Sequence, residues 1–154
     1  GIAVRDSVDS FGYVSRMDNL QAAILNFRLK KLNKIIEKRR NNAQKYFDKI
    51  DTKYVYLVKE REYEYNTYHT FVIQTEKRDN LKKYLYNNGI NTAIHYPIPI
   101  HLQPAAKILN YSKGDFPVTD AHADKIITFP CDQHLNKKEL DFIIKTVTDF
   151  YRIY

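Results

Sequence analysis

The 154-residue sequence has one cysteine, four glycines and no tryptophan, and its apolar runs are short. A single cysteine excludes an internal disulfide, and because no second thiol lies near Cys131 we expect a buried, unreactive thiol. No apolar run approaches the roughly 20 residues of a membrane-spanning helix, so we expect no membrane partner. These absences fit a reducing, cytoplasmic setting.

The sequence has a surplus of cations, with a formal net charge of +7. Such a surplus raises the question of nucleic-acid binding. Seven of these cations cluster on one predicted helix: Lys30, Lys31, Lys34, Lys38, Arg39, Arg40 and Lys45. That helix also carries a complete apolar stripe, so we interpret the cations as its solvated face and expect no nucleic-acid partner.

Hydrophobic periodicity predicts one long first helix. A capping pattern formed by Ser15 and Asp18 starts it at about Arg16, and the apolar stripe continues to Phe47. The first half carries a second apolar set on other faces, consisting of Leu20, Ala23, Ile24 and Phe27. Since a helix that is apolar nearly all round must be buried on several sides, we expect these turns to contact a missing domain or a second subunit.

The rest of the sequence mixes strands with helices. Residues rich in Val, Ile, Tyr and Phe predict strands at 53–58, 68–74 and 90–95, and an extended run at 127–130. Capping residues and apolar spacing predict helices at 77–88, 104–109 and 118–126, and a last helix from Asn136 through Tyr151. This order predicts an α+β domain in which helices cover a small antiparallel or mixed sheet.

Three of the five prolines fall in one block, His95-Tyr96-Pro97-Ile98-Pro99-Ile100-His101-Leu102-Gln103-Pro104. Prolines stiffen the backbone and bias their preceding residues toward extended geometry, which holds polar side chains outward as in a binding loop. His95 is the leading candidate for pairing with a phosphate, and a histidine that only ties its own loop is the alternative. Tyr96 either presents its hydroxyl to a ligand or packs on the prolines, and His101 is a binding or a structural group. The spacing of the two histidines does not match a metal-ligating helical pair, so we expect no metal.

The segment that enters the first helix is a second candidate site. Free N–H groups at a helix N-terminus attract phosphate, and Arg16 would add a two-pronged donor. Ser15 and Asp18 can satisfy the same N–H groups themselves. A structural cap with Arg16 as an ion-pair partner is therefore the alternative.

Four motifs together resemble the C-terminal portion of the DegT/DnrJ/StrS-type sugar-nucleotide aminotransferases. They are residues 12–25, the proline block, Gly114-Asp115-Phe116-Pro117-Val118 and Phe129-Pro130, in the family's order. The resemblance implies the small domain of a fold type I pyridoxal-phosphate (PLP) enzyme that forms homodimers. Residues 1–14 would then connect a missing N-terminal domain, which holds the cofactor's lysine, to a small domain at residues 15–154. We accordingly assign no catalytic residue here and expect the fragment alone to be inactive.

The resemblance also implies an activity and site residues. The parent enzyme would convert a nucleotide-linked keto sugar to an amino sugar, with glutamate as the amino donor. His95, Tyr96 and His101 would bind the sugar nucleotide, and Ser15 and Arg16 would contact PLP. Val14 stands where many family members have an asparagine that reaches the PLP phosphate, a contact that valine cannot make. A related PLP sugar dehydratase, or a non-catalytic binding or assembly module, remains the alternative.

Overall fold

The computed structural model describes residues 6–13 and 16–153. Its α-helices are Asn19–Leu29 (α1), Leu32–Lys49 (α2), Arg78–Asn87 (α3), Pro117–Lys125 (α4) and Lys137–Ile153 (α5). Its strands are Tyr56–Leu57 (β1), Phe71–Gln74 (β2) and Ile126–Phe129 (β3), and two 3₁₀ helices span Ile100–Leu102 and Pro104–Leu109. The predicted α+β class is confirmed.

The sheet is antiparallel, with the strands in the order β1-β2-β3. Residues 90–95 do not form the strand that was predicted, because they meet β3 through a single bridge between Ala93 and Thr128. Pairing stops there because the chain runs on into the block containing Pro97 and Pro99, and proline has no N–H to continue a ladder. The third strand is instead β3, which matches the predicted extended run to within one residue.

Helices α2, α3 and α5 supply the helical part of the core. Its most deeply buried apolar side chains include Tyr46, Ile73, Leu81, Leu85, Ile127, Phe129, Leu140, Val147 and Phe150. The Tyr46 hydroxyl donates to the Pro130 carbonyl at 2.7 Å, which joins α2 to the end of β3. This packing confirms the prediction that helices cover the sheet. Within the described residues, none of the helices is both long and apolar enough to cross a bilayer.

The prediction of one long first helix is wrong, because the chain turns at Lys30 and Lys31 between α1 and α2. The Lys31 N–H bonds to the Arg28 carbonyl at 2.9 Å, three residues back rather than four, so the backbone tightens there. The helix also begins later than predicted, after Asp18, whose N–H donates to the Gln21 side chain at 3.0 Å. The predicted capping residue Ser15 lies outside the described residues.

Other local predictions are confirmed. Gly89 follows α3 with φ of 77°, the left-handed geometry that suits glycine at a helix end. Asn136 and Glu139 cap the start of α5 reciprocally, with N–H to side-chain oxygen distances of 2.8 and 3.0 Å. Cys131 is buried, and burial raises the pKa of its thiol to about 11.

Candidate functional site

The proline-rich loop starts at the outer edge of β3. The Thr128 N–H donates to the Ala93 carbonyl at 2.7 Å, and the Ala93 N–H donates to the Thr128 carbonyl at 3.2 Å. This pair of bonds fixes the backbone two residues before His95. The position of His95 is therefore set by an element of the sheet and not by the loop alone.

The His95 side chain is half-buried, and Thr128 also contacts its ring. The Nδ1 atom of His95 lies 2.9 Å from the Thr128 hydroxyl oxygen. The peptide bond between His95 and Tyr96 is cis, and their rings meet edge to face with centroids 5.5 Å apart. No described residue forms a hydrogen bond with the opposite ring nitrogen of His95, Nε2, so that atom is available to a ligand.

Tyr96 lines a groove beside this histidine. The groove has a volume of about 450 Å³. Its mostly apolar lining includes Val8, Phe11, Tyr96, Ile98, Ile100 and Ala105. Tyr96 is exposed, so its side chain is accessible to a ligand at this groove.

Gln103 holds the two walls of the groove together. Its Oε1 accepts the Val8 N–H at 2.8 Å, and its Nε2 donates to the carbonyls of Asp6 at 3.0 Å and Ile98 at 3.2 Å. The Ala105 N–H donates to the Val8 carbonyl at 2.7 Å beside it. One amide thus joins the segment that precedes α1 to the proline-rich loop.

His101 lies on the inner side of the same loop. Its ring is buried against Phe116, with centroids 4.8 Å apart, and its Nε2 is 3.1 Å from Oδ1 of Asp120 in α4. The second Asp120 oxygen accepts the Gly114 N–H at 2.7 Å. The burial of His101 against Phe116 and beside Asp120 therefore packs the loop against α4.

Sequence reasoning singled out the two histidines and missed their partners, Thr128 and Asp120. Thr128 lies in an extended run and Asp120 in a helix, and neither belongs to a pattern that indicates a site. Only the folded chain brings them to the loop. Among residues 6–13 and 16–153, no three His, Cys, Asp or Glu side chains converge as a metal ion would require.

Comparisons with known proteins identify the family. A profile of the DegT/DnrJ/EryC1/StrS aminotransferase family matches residues 2–148. The pleiotropic regulatory protein of Geobacillus stearothermophilus is 33% identical over 92% of this chain and 39% of its own length. The dTDP-3-amino-3,4,6-trideoxy-alpha-D-glucose transaminase of Streptomyces venezuelae is 30% identical over 94% of this chain and 38% of its own length.

A solved structure agrees with these matches. The structure of DesV from S. venezuelae in complex with a ketimine intermediate superposes with a TM-score of 0.84. It is 29% identical and covers 97% of this chain and 41% of its own. The chain belongs to the DegT/DnrJ/EryC1/StrS aminotransferase family. It spans about two fifths of the length of the curated relatives it matches.

The described residues of this family member do not form a PLP cradle by themselves. Arg16 is the described residue for which a cofactor contact was predicted, and its side chain is 85% exposed. Its guanidinium already contacts one oxygen of Asp18, at 2.8 Å from Nη2 and 3.0 Å from Nε. Val14 and Ser15, the other positions discussed for this contact, lie outside the described residues. The Asp18 carboxylate beside Arg16 would repel a phosphate at this position, so the described residues here do not fit the cofactor's phosphate.

Proposed function

We propose that the protein containing this chain is a PLP-dependent aminotransferase that converts a nucleotide-linked keto sugar to an amino sugar. The observation that carries this proposal is the match of nearly the whole chain to one aminotransferase family, together with a half-buried His95 whose Nε2 has no hydrogen-bond partner among the described residues. Residues 15–154 would form its small domain, and residues 1–14 the connection to a preceding domain. PLP would supply the electron sink for moving an amino group from glutamate to the sugar.

This chain would bind and orient the sugar nucleotide. His95 Nε2 faces no described protein partner and would pair with an oxygen of the diphosphate. Tyr96, at the mouth of the adjoining groove, would present its hydroxyl to the sugar or nucleotide. His101 would support the loop by packing against Phe116 and Asp120. Ser15 and Arg16 would contact the cofactor, and Arg16 would first have to leave Asp18.

The exposed apolar surface of α1 is the evidence for a protein partner, such as a second copy of the protein. Leu20 is 72% exposed, Ile24 49% and Phe27 64%, and no residue of α1 is buried. Contiguous exposed apolar side chains of this kind mark an interface. We propose that this helix packs in a homodimer or against the preceding domain, in a cytoplasmic enzyme that keeps Cys131 reduced.

The test is an assay of the full-length protein with a nucleotide-linked keto sugar, glutamate and PLP. We expect mass spectrometry to detect the amino sugar together with 2-oxoglutarate, and we expect residues 1–154 alone to give neither product. Turnover by residues 1–154 alone would show that the domain assignment is wrong.

A PLP-dependent sugar dehydratase is the second candidate, since the same small domain would serve either reaction. Loss of water from the sugar without transfer of nitrogen would favour it. A non-catalytic module is the third candidate, and it would be favoured if the full-length protein bound nucleotide sugar without converting it. Both outcomes would contradict the proposed amino transfer.

A further inference from the structure

We infer that Thr128 is a positioning residue that fixes His95 in the tautomer with its proton on Nε2, so that the neutral ring presents a hydrogen-bond donor toward the site. The Thr128 hydroxyl oxygen lies 2.9 Å from His95 Nδ1. Either atom of that contact can donate, so the surroundings decide the direction of the bond.

The burial of Thr128 decides which atom donates in this hydrogen bond. Thr128 is only 7% exposed, and His95 Nδ1 is the hydrogen-bond partner of its hydroxyl within residues 6–13 and 16–153. If Nδ1 carried the proton and donated to Thr128, the hydroxyl hydrogen would be buried without an acceptor. A buried donor without a partner is costly. If the hydroxyl donates to Nδ1, its hydrogen is satisfied, and the ring proton resides on Nε2.

The backbone holds both partners of this bond in place. Ala93 and Thr128 exchange backbone hydrogen bonds at 2.7 and 3.2 Å, so the chain approaches His95 from a fixed point on β3. Val72 of β2 pairs with Thr128 on the other side, which places the threonine inside the sheet. The hydroxyl oxygen is therefore held at a fixed position beside Nδ1, and the burial of its hydrogen favours one tautomer of His95.

The chemical consequence concerns the kind of atom that His95 can bind. An Nε2–H donor recognises oxygen acceptors, such as those of a diphosphate or a sugar hydroxyl, while the ring stays neutral. Binding of such a ligand then does not require a protonated imidazole. This consequence rests on the proposed substrate role of His95, whereas the tautomer itself does not.

The direct test is the ¹⁵N spectrum of histidine-labelled full-length protein at mildly alkaline pH, with the His95 signals assigned by their loss in His95→Gln. We expect Nδ1 of His95 to appear unprotonated and Nε2 protonated in the unmodified protein. Thr128→Val should remove this preference and give signals averaged between tautomers, whereas Thr128→Ser should restore it. A protonated Nδ1 in the unmodified protein would overturn the inference without any variant.

Thr146→Val is the matched control. Thr146 is 5% exposed and its hydroxyl donates to the Phe142 carbonyl at 2.8 Å, so this change also removes one buried hydroxyl bond but lies in α5. We expect it to leave the His95 tautomer unchanged. If Thr146→Val shifted the tautomer as much as Thr128→Val, a non-specific loss of packing would explain both results. The specific role of Thr128 would then be wrong.

Steady-state kinetics connect the tautomer to function. We expect Thr128→Val to raise KM for the nucleotide sugar roughly three- to tenfold, with kcat changed less than about twofold, as for loss of one oriented hydrogen bond. In a His95→Gln background the same change should have no further effect on KM, because Thr128 acts through His95. An additional KM increase in that background would overturn the positioning role. A tautomer shift with unchanged KM in both single variants would support the positioning role and overturn the substrate role of His95.

Discussion

The first and last helices of the chain are both rich in apolar residues, yet they have opposite surroundings. Helix α5 buries Leu140, Ile143, Ile144, Thr146, Val147 and Phe150, whereas α1 buries no residue. In α5 the apolar residues form one stripe, which the sheet and its neighbouring helices can cover. In α1 they occupy several faces, and the described chain leaves none of them buried. A sequence can therefore specify an apolar helix that its own described fold leaves exposed.

The largest loss of stability is expected when Phe150 is truncated. This residue is fully buried and contacts the rings of Tyr84 and Tyr151. We expect Phe150→Ala to lower the free energy of unfolding by about 3–5 kcal/mol, because it removes apolar contacts and leaves a cavity. Phe27→Ala in α1 is the matched control, and it should change that free energy of the isolated chain by about 0.5 kcal/mol or less. Urea unfolding of both variants measures the contrast. Equal losses would mean that α1 is packed into the fold.

A smaller effect on stability is expected from ionisation of the Cys131 thiol, which follows β3. Burial raises the pKa of Cys131 from 9.0 to about 11, so between these values the unfolded chain binds fewer protons than the folded one. Stability should therefore fall as pH rises through this window, with a contribution from the thiol of about 2–3 kcal/mol at most. Tyr46 and Tyr151, whose pKa values burial also raises, contribute in the same direction.

Cys131→Ala isolates the contribution of the thiol to this pH dependence. Unfolding free energies measured at several pH values should fall less steeply above pH 9 in the variant than in the unmodified chain. An identical slope in both proteins would show that the thiol is not shielded from water.

The smallest effect on stability, and the clearest on assembly, is expected for α1. Replacing Leu20, Ile24 and Phe27 by glutamate should leave the unfolding free energy of the chain within about 0.5 kcal/mol, because these side chains are exposed. The unmodified chain should self-associate in sedimentation experiments, and the triple variant should be monomeric. A clean monomer for the unmodified chain at high concentration would contradict an interface at this helix.

Local patterns predicted the parts of the fold that local physics controls. The stripe of α5, its Asn136 cap and the glycine after α3 were predictable because each depends on residues a few positions apart. The turn at Lys30 and Lys31 was not predictable, because the sequence has neither proline nor glycine there. The helix is interrupted only by a backbone hydrogen bond that reaches three residues back, from Lys31 to Arg28, instead of four.

The candidate site was also predictable only in the part that depends on neighbouring residues in the sequence. The prolines and histidines of the loop identified it from the sequence. The partners of those histidines could not be predicted, because Thr128 and Asp120 reach them only through the sheet edge and the packing of α4. The burial of His101 and the exposure of Tyr96 are likewise results of tertiary packing, although the two residues are only five positions apart in sequence.

The most direct test of the account is the affinity of the full-length protein for its nucleotide sugar before and after His95→Ala. The account predicts weaker binding by about 1–3 kcal/mol, the range for losing a hydrogen bond to a charged group, with the fold unchanged. Unchanged affinity, measured by calorimetric titration on a folded variant, would remove His95 from the site and contradict the account.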